Sequence, residues 1–306
     1  MDTPQMLADG LAFPEGPVPC ADGSVVVVEV AGGRITRILP GGRTEVVAEP
    51  GGGPNGAAAG PGGTLVVCNN GGLSWSTLDG ILSPGIQPPD YSGGRIESIS
   101  PDGTVSVLYN SCDGHDLRGP NDLVLDGAGG FWFTDLGKER ERDGDLGAVY
   151  YAAVDGSEIR KVLHPLMQPN GIAISPDGER LYVAETTPGR IWWWTIEGPG
   201  QLRVDGSGPA GGHLLHGLPG HQLLDSMAVD SAGNVCVGTL ITGAVTVISP
   251  GGELLEQITM PKFDPLVTNI AFGGPDGRTA YITASGTGRV YQMPWPRPGT
   301  PTAFSA

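Results

Sequence analysis

Short apolar runs alternate with glycine-containing turns along the whole chain. Six segments share one pattern, in which a polar residue is followed by a short strand of small or apolar residues, a turn, and a second apolar strand. In most copies a third strand with alternating apolar residues comes next. Alternation with a period of two between turn signals indicates β-strands. The copies begin at Phe13, Gly53, Gly119, Gln168, Leu223 and Val267.

Six such repeats predict an all-β fold, a six-bladed β-propeller with four-stranded antiparallel blades that forms one domain over residues 1–306. The last repeat is too short to complete its blade unless residues that precede the first repeat join it. We therefore predict that the segment Gln5–Ala8 supplies the outer strand of the last blade. This pairing would close the ring and leave no unpaired edge.

Composition restricts the partners and the location. The chain has 33 acidic and 17 basic residues, a net charge of −16. A surface of this sign repels nucleic acid and anionic membranes, so neither is expected as a partner. No apolar run approaches the roughly 20 residues of a membrane span, and the N-terminus lacks a basic leader, which predicts a cytoplasmic protein. The four cysteines form no CxxC pair and are predicted to be buried thiols. Nothing in the sequence indicates an oligomeric state.

The polar residues that open the six copies form a candidate metal site. The inner strands of a propeller surround a channel and run in the same direction, so residues at one repeat position converge at one mouth. Carboxylate and amide oxygens without thiolate or imidazole favour a hard divalent cation, Ca²⁺ first, with Mg²⁺, Mn²⁺ or Zn²⁺ as alternatives. The six residues are Glu15, Asn55, Asn121, Asn170, Asp225 and Asn269.

A second interpretation of these residues stays open. Asn, Asp and Glu beside Pro or Gly often shape a turn through side-chain to backbone hydrogen bonds and do nothing further. For a single copy that interpretation is sufficient. Turn chemistry would accept Ser, Thr or Gly equally well, however, and all six copies carry an amide or a carboxylate. The coincidence favours a metal site.

The repeats resemble the regucalcin/gluconolactonase family of six-bladed, calcium-dependent lactonases. Its characteristic strings are present in order over nearly the entire chain: FPEG (13–16), GPND (119–122), FWFTD (131–135), QPNGIAISPDG (168–178), LLDSMAVD (223–230) and TNIAFGG (268–274). The resemblance implies that Glu15, Asn170 and Asp225 are metal ligands. It also implies that Asn121 is a ligand or a substrate contact.

Some positions depart from the family pattern. Asn69 and Asn70 stand where several gluconolactonases have an acidic residue and a histidine. Gly119 stands where regucalcin has an arginine, and Arg118 lies one place earlier. These positions shape sugar recognition in the family. The metal site therefore carries over more directly than gluconolactone as a substrate.

The leading hypothesis is a metal-dependent hydrolase that opens a lactone, gluconolactonase-like, with a small-molecule lactone or ester as its partner. Asp225 is the first choice for the base and Glu15 the second, since a carboxylate beside the metal both ligates and accepts a proton. The lid-like insertion 69–94 is expected to cover the mouth. Predicted substrate contacts are Asn121, Asn55, Arg118, Trp75 and Tyr91. The alternatives are a phosphotriesterase-like hydrolase and a non-catalytic metal-binding propeller.

Overall fold

Six antiparallel sheets, five with four strands and one with five, are arranged in a ring, which confirms the predicted six-bladed β-propeller. The structure is a computed structural model that describes residues 3–301 and 303–304. Within these residues no helix is long and apolar enough to cross a membrane.

The first three blades follow one another along the chain. Strand β1 spans Gln5–Ala8. Blade 1 contains β2 (Pro14–Pro19), β3 (Val25–Glu29), β4 (Arg34–Ile38) and β5 (Thr44–Ala48). Blade 2 contains β6 (Pro54–Ala59) and β7 (Leu65–Asn69), an inserted hairpin of β8 (Trp75–Leu78) and β9 (Ile81–Pro84), and then β10 (Arg95–Ile99) and β11 (Val105–Tyr109). After a short hairpin, β12 (Ser111–Cys112) and β13 (His115–Asp116), blade 3 contains β14 (Pro120–Leu125), β15 (Gly130–Asp135), β16 (Gly147–Ala153) and β17 (Ile159–Leu166).

The last three blades repeat the pattern. Blade 4 contains β18 (Pro169–Ile174), β19 (Arg180–Glu185) and β20 (Arg190–Gly198), with β21 (Gln201–Arg203) and β22 (His213–Gly217) both paired to β20. Blade 5 contains β23 (Leu223–Val229), β24 (Val235–Leu240), β25 (Ala244–Ile248) and β26 (Leu254–Thr259). Blade 6 contains β27 (Val267–Gly273), β28 (Thr279–Ala284) and β29 (Arg289–Pro294). Single 3-10 turns lie at Pro61–Gly63, Pro209–Gly211 and Ser285–Thr287.

The two ends of the chain close the ring, as predicted. Strand β1 pairs antiparallel with β29, with Gln5 opposite Gln292 and Met6 opposite Tyr291. Ala8 belongs to a buried apolar cluster that includes Val290 of blade 6 and Val25 of blade 1. The last blade is therefore held by both ends of the chain.

The core lies between neighbouring blades. Trp132 of blade 3 packs in one buried cluster with Trp192 and Trp194 of blade 4. All four cysteines are buried and free, as the sequence predicted.

Two kinds of loop lie at one end of the propeller: those that join the second and third strands of a blade, and those that join one blade to the next. Pro14 at the start of β2 is paired with Glu29 at the end of β3, and Pro169 at the start of β18 with Glu185 at the end of β19. The connection from the second to the third strand of a blade and the connection from one blade to the next therefore lie at the same end. We call this end the mouth. The β8–β9 hairpin is inserted in one of these connections.

Candidate functional site

The structure brings the six repeat-opening residues to the start of the six inner strands. Four of them directly follow a proline that is the first strand residue, at Pro14, Pro54, Pro120 and Pro169. The ladder to the second strand is irregular beside this position in every blade. Such bulges re-aim side chains and are common next to active sites. The same local irregularity thus accompanies the repeat-opening residue in all six blades.

Glycines that directly follow three of the repeat-opening residues allow the backbones of neighbouring inner strands to pack closely together. A β carbon on Gly16 would lie 2.6 Å from the carbonyl oxygen of Asn55, and one on Gly56 would lie 2.5 Å from that of Asn121. A β carbon on Gly171 would lie 2.5 Å from the carbonyl oxygen of Asp225. Real β carbons do not approach backbone this closely. The spacing of the ring residues therefore depends on these glycines.

In several blades, a polar side chain at the end of the second strand accepts hydrogen bonds from backbone N–H groups just before the inner strand. Asp135 at the end of β15 accepts hydrogen bonds from the backbone N–H groups of Arg118 (2.8 Å) and Gly119 (2.7 Å), just before Asn121. Asn69 binds the N–H of Gly53 in the same way (2.9 Å). Glu29 and Glu185 bind the N–H groups of Ala12 and Met167. Asn69 thus has a structural task that the sequence did not reveal.

Glu15 is buried in the channel with one oxygen occupied. The residue is 2% exposed. Its Oε2 accepts hydrogen bonds from Asn269 Nδ2 (2.8 Å) and from the N–H of Gly16 (2.9 Å). Burial raises the pKa of the Glu15 carboxyl, and the hydrogen bonds from Asn269 and Gly16 oppose the rise. Asn269 therefore positions Glu15, which sequence reasoning had not assigned to it.

Asp225 faces Asn170 and is partly exposed. Its Oδ1 accepts a hydrogen bond from the N–H of Ser226 (3.0 Å). The Ser226 hydroxyl in turn donates to Asn170 Oδ1 (3.4 Å). Burial raises the pKa of the Asp225 carboxyl well above its ordinary value, the negative charge of Glu15 adds to the rise, and a hydrogen bond from Asn170 opposes it. The charge of Glu15 in blade 1 therefore acts on Asp225 in blade 5.

Asp122 is a further carboxylate on the inner strands, buried like Glu15, that the sequence analysis missed. Its Oδ1 accepts a hydrogen bond from the N–H of Leu123 (2.9 Å) and its Oδ2 one from the N–H of Ile172 (3.3 Å). Burial, followed by the charge of Glu15, raises the pKa of Asp122 to about 7. Asp122 links blade 3 to blade 4 and adds negative charge to the channel. The available signal was an acid at a repeat position where three other copies have glycine.

The donor set fits a hard divalent cation. Glu15 Oε1 and Asn121 Oδ1 are buried, and neither accepts a hydrogen bond from any residue that the structure describes. Buried acceptors are rarely left without a partner, and a cation would relieve the rise in pKa that the charge of Glu15 causes at Asp225 and Asp122. Among the described residues, no three His, Cys, Asp or Glu side chains converge as a metal site. A cation in the channel would therefore need the amide oxygens as well as the two carboxylates.

Of the five predicted substrate contacts, Asn55 and Asn121 are among the six repeat-opening residues, and Arg118 lies away from these six. Asn55 and Asn121 are both buried in the channel. Arg118 lines an open groove of about 720 Å³ beside blade 3. Its lining also includes His115, Lys161 and His164. A substrate role for Arg118 stays a prediction.

The predicted aromatic contacts hold the insertion in place. The Trp75 ring packs against Phe13, with 5.0 Å between ring centroids. The Tyr91 hydroxyl donates to the carbonyl oxygen of Arg118 (2.6 Å) and accepts from the N–H of Gly94 (2.9 Å). A β carbon on Gly286 would lie 2.9 Å from Cγ2 of Ile81. The insertion therefore leaves blade 2, packs beside blade 1 and reaches blade 6.

Lys138 is a buried cation that secures the base of the insertion, and the sequence analysis did not single it out. The residue is 3% exposed. Its Nζ donates to the carbonyl oxygen of Gly72 (2.8 Å) and to Asn70 Oδ1 (3.3 Å), and lies 5.3 Å from the centroid of the Tyr91 ring. Burial lowers the pKa of Lys138 to about 8, although Asp135 and Asp145 oppose this.

Replacement of Lys138 by methionine should reveal this ionisation in a pH series. The folded protein loses the Lys138 proton at pH about 8, whereas the unfolded chain keeps it up to about 10.5. Between these values the unfolded state binds more protons. Wild type should therefore gain about 3 kcal/mol of unfolding free energy relative to Lys138→Met as the pH rises from 8 to 10.5. Chemical denaturation measures the difference, with exposed Lys262→Met as the control. A constant difference over this range would show that Lys138 titrates normally.

Comparison with known proteins agrees with this architecture. Residues 13–286 match the family model described as the SMP-30/Gluconolactonase/LRE-like region. Lactonase drp35 of Staphylococcus epidermidis is 33% identical over 144 residues, which cover 47% of this chain and 42% of that protein. The lactonase drp35 of Staphylococcus aureus is also 33% identical over 144 residues, which cover 47% of this chain and 43% of that protein. The chain thus spans less than half the length of the curated relatives it matches.

Solved structures share the fold over almost the whole chain. A gluconolactonase from Xanthomonas campestris has a TM-score of 0.74 at 24% identity, covering 97% of this chain and 96% of its own. Regucalcin from Agrobacterium tumefaciens, described as a calcium-binding protein, has a TM-score of 0.70 at 17% identity, covering 98% and 97%. At this level of identity the likeness establishes the propeller and its course.

Proposed function

This chain belongs to the SMP-30/gluconolactonase/LRE-like family, and we propose that it is a hydrolase that opens a lactone at the mouth of its channel with the help of a divalent cation. The observation that carries the proposal is the pair of facing carboxylates, Glu15 and Asp225, beside buried oxygens of Glu15 and Asn121 that lack a hydrogen-bond donor among the described residues. The names of the relatives, lactonase and gluconolactonase, support the same reaction.

Glu15, Asn121, Asn170 and Asp225 would hold the cation. These side chains offer carboxylate and amide oxygens, which Ca²⁺ prefers, and Mg²⁺, Mn²⁺ and Zn²⁺ are the alternatives. When bound, the cation supplies Lewis-acid polarisation of the lactone carbonyl. Asn269 and the N–H of Gly16 hold Glu15 Oε2 by hydrogen bonds. The other carboxylate oxygen, Oε1, accepts no hydrogen bond from the described residues and is left to bind the cation.

Asp225 acts as the base that takes a proton from the attacking water. Asp225 is partly exposed, whereas Glu15 is buried, so water reaches Asp225 more easily. Water adds to the carbonyl carbon, the ring C–O bond breaks, and Asp225 returns the proton to the released alkoxide. The product is a single hydroxy acid, which carries the released hydroxyl and the new carboxyl group.

The insertion 69–94 serves as a lid that shapes the substrate space. Trp75→Ala together with Tyr91→Ala removes its packing on Phe13 and its hydrogen bond to Arg118. We expect the double variant to change KM and substrate preference several-fold, since neither anchor touches a ring residue, while Ca²⁺ affinity stays close to wild type. Steady-state kinetics and calorimetric Ca²⁺ titration measure both. Loss of Ca²⁺ binding would mean that Trp75 and Tyr91 also hold the proposed metal ligands in place.

A substrate panel with metal-stripped and metal-restored protein tests the function. Chelator-treated protein is assayed with and without added Ca²⁺ against glucono-δ-lactone, δ-valerolactone and the phosphotriester paraoxon. The proposal predicts lactone hydrolysis that falls with the chelator and returns with Ca²⁺. Hydrolysis of paraoxon alone would replace lactonase by phosphotriesterase. Ca²⁺ binding with no hydrolysis of any compound would make the chain a metal-binding propeller without catalysis.

A further inference from the structure

A large apolar side chain stands exposed at the mouth beside the base. Ile241, in the turn between β24 and β25, is 44% exposed. The preceding Leu240 is paired with Leu223, two residues before Asp225. At roughly 3.3 Å per residue along a strand, the Ile241 backbone lies on the order of 10 Å from that of Asp225. Ile241 therefore lies at the mouth on the order of 10 Å from the proposed base.

The backbone at Ile241 is held in a conformation that a β-branched residue disfavours. Its φ is 74°, in the left-handed region. The N–H of Ile241 donates to the carbonyl oxygen of Pro265 (2.8 Å), and the hydroxyl of the next residue, Thr242, donates to Gln222 Oε1 (2.8 Å). Glycine would adopt this φ freely, so the turn keeps isoleucine at a conformational cost. Residues held in this way cluster at functional sites.

The repeat offers an internal comparison for this position. In four blades the corresponding turn has four residues, enclosed by the pairs Glu29–Arg34, Glu185–Arg190, Thr239–Ala244 and Ala284–Arg289. The second turn residue is Ala31, Thr187, Ile241 or Gly286. The fold itself is thus satisfied by small or polar residues here. A large apolar residue appears in the blade that carries Asp225.

Neighbouring connections extend this apolar surface. Phe263, in the connection to blade 6, is 64% exposed, and its Cε2 would lie 3.3 Å from a β carbon on Gly243. Further along the mouth, a β carbon on Gly286 would lie 3.2 Å from Leu266 Cδ1 and 2.9 Å from Ile81 Cγ2. We name Ile81, Ile241, Phe263 and Leu266 the apolar side of the mouth.

We propose that the substrate is a lactone with an alkyl or similar apolar substituent, which lies against Ile241 and Phe263 while the lactone ring lies at Asp225. This inference rests on the proposed lactonase function. Exposed apolar surface next to a polar reaction centre is typical of a ligand site, and several substituent carbons span the distance between them. Each methylene buried there would raise kcat/KM by up to about four-fold.

A series of δ-lactones with one ring and growing side chains tests the substrate class. In wild type, kcat/KM for δ-decanolactone should exceed that for δ-valerolactone by about ten-fold or more. In Ile241→Gly with Phe263→Ser this ratio should fall to within about two-fold. Melting temperature is recorded in parallel, since glycine relieves the strained φ and should not unfold the turn. Leu254→Ser, an exposed leucine on β26 of the same blade, is the control and should keep the wild-type ratio.

The outcomes separate this inference from the function on which it rests. A flat chain-length dependence in wild type, or a ratio that the double variant leaves unchanged, would overturn it while lactone hydrolysis stands. If no lactone is hydrolysed, calorimetry compares the binding of 6-pentyl-2-piperidinone with that of 2-piperidinone. Tighter binding of the pentyl compound that is lost in the double variant would support an apolar substituent site at Ile241 and Phe263. Equal binding of the two compounds, or no binding, would overturn it. A wild-type dimer that the double variant converts to a monomer in sedimentation would assign the patch to a second copy of the chain.

Discussion

Asp225→Asn is expected to reduce lactone hydrolysis roughly 10²-fold or more, even at saturating Ca²⁺. The substitution keeps the shape of the side chain and removes its charge and its ability to accept a proton. Asp225 is one of two carboxylates in the proposed ligand set, so Ca²⁺ binding should weaken as well. Initial rates measured over a Ca²⁺ series separate these two effects. A ligand defect alone recovers activity at high Ca²⁺, whereas loss of the base does not.

A matched carboxylate in the same blade controls for nonspecific damage. Asp230 directly follows β23 and is fully buried, with hydrogen bonds to Asn234 and Arg297. Asp230→Asn should lower the melting temperature but leave the specific activity of the folded protein near wild type. Wild-type hydrolysis by Asp225→Asn in the presence of a chelator would exclude a catalytic metal at this residue.

Gly171→Ala is expected to lower kcat by an order of magnitude or more, although it adds a single methyl group that carries no chemistry. The new β carbon would meet Asp225 O at 2.5 Å and Met227 N at 2.9 Å. These are backbone atoms that cannot turn away, so β18 and β23 must separate. Asp225 then moves relative to Asn170, and misplacement of a catalytic group by about 1 Å costs up to about 10²-fold. Overpacking should also destabilise the fold by about 1–3 kcal/mol.

The control for this variant lies in the same blade. Gly198→Ala in β20 adds the same methyl group, whose nearest neighbour is Gln201 Cδ at 4.0 Å. We expect wild-type kinetics for Gly198→Ala, while Gly171→Ala loses both kcat and Ca²⁺ affinity. Equal kinetics for the two variants would mean that the contact between β18 and β23 does not set the site geometry.

The repeat made the fold predictable because its signals are local. Alternation and turn residues identify each strand, and six copies identify the propeller. The shortage of residues in the last copy also predicted the pairing of β1 with β29. The ring of polar residues followed from register alone, since one repeat position in a closed ring must face one channel.

Other parts of the site depend on contacts between distant residues. Lys138 meets Asn70 across 68 positions of sequence, and Asn269 meets Glu15 across 254. No local pattern encodes such a pairing, so neither the burial of Lys138 nor the contact of Asn269 with Glu15 was predicted from the sequence. Asp122 was detectable in principle, because it replaces the glycine that follows the ring residue in three other copies. Its burial between two inner strands became evident only from the fold.

The central claim is that lactone hydrolysis depends on a cation held between Glu15 and Asp225. The most direct test follows the hydrolysis rate of δ-valerolactone while Ca²⁺ is titrated into chelator-treated protein, in wild type and in Glu15→Gln. The account predicts that wild-type activity rises from near zero and saturates at one Ca²⁺ per chain, and that Glu15→Gln needs a much higher Ca²⁺ concentration. Full activity in wild type before any Ca²⁺ is added, with the same rate in Glu15→Gln, would contradict it.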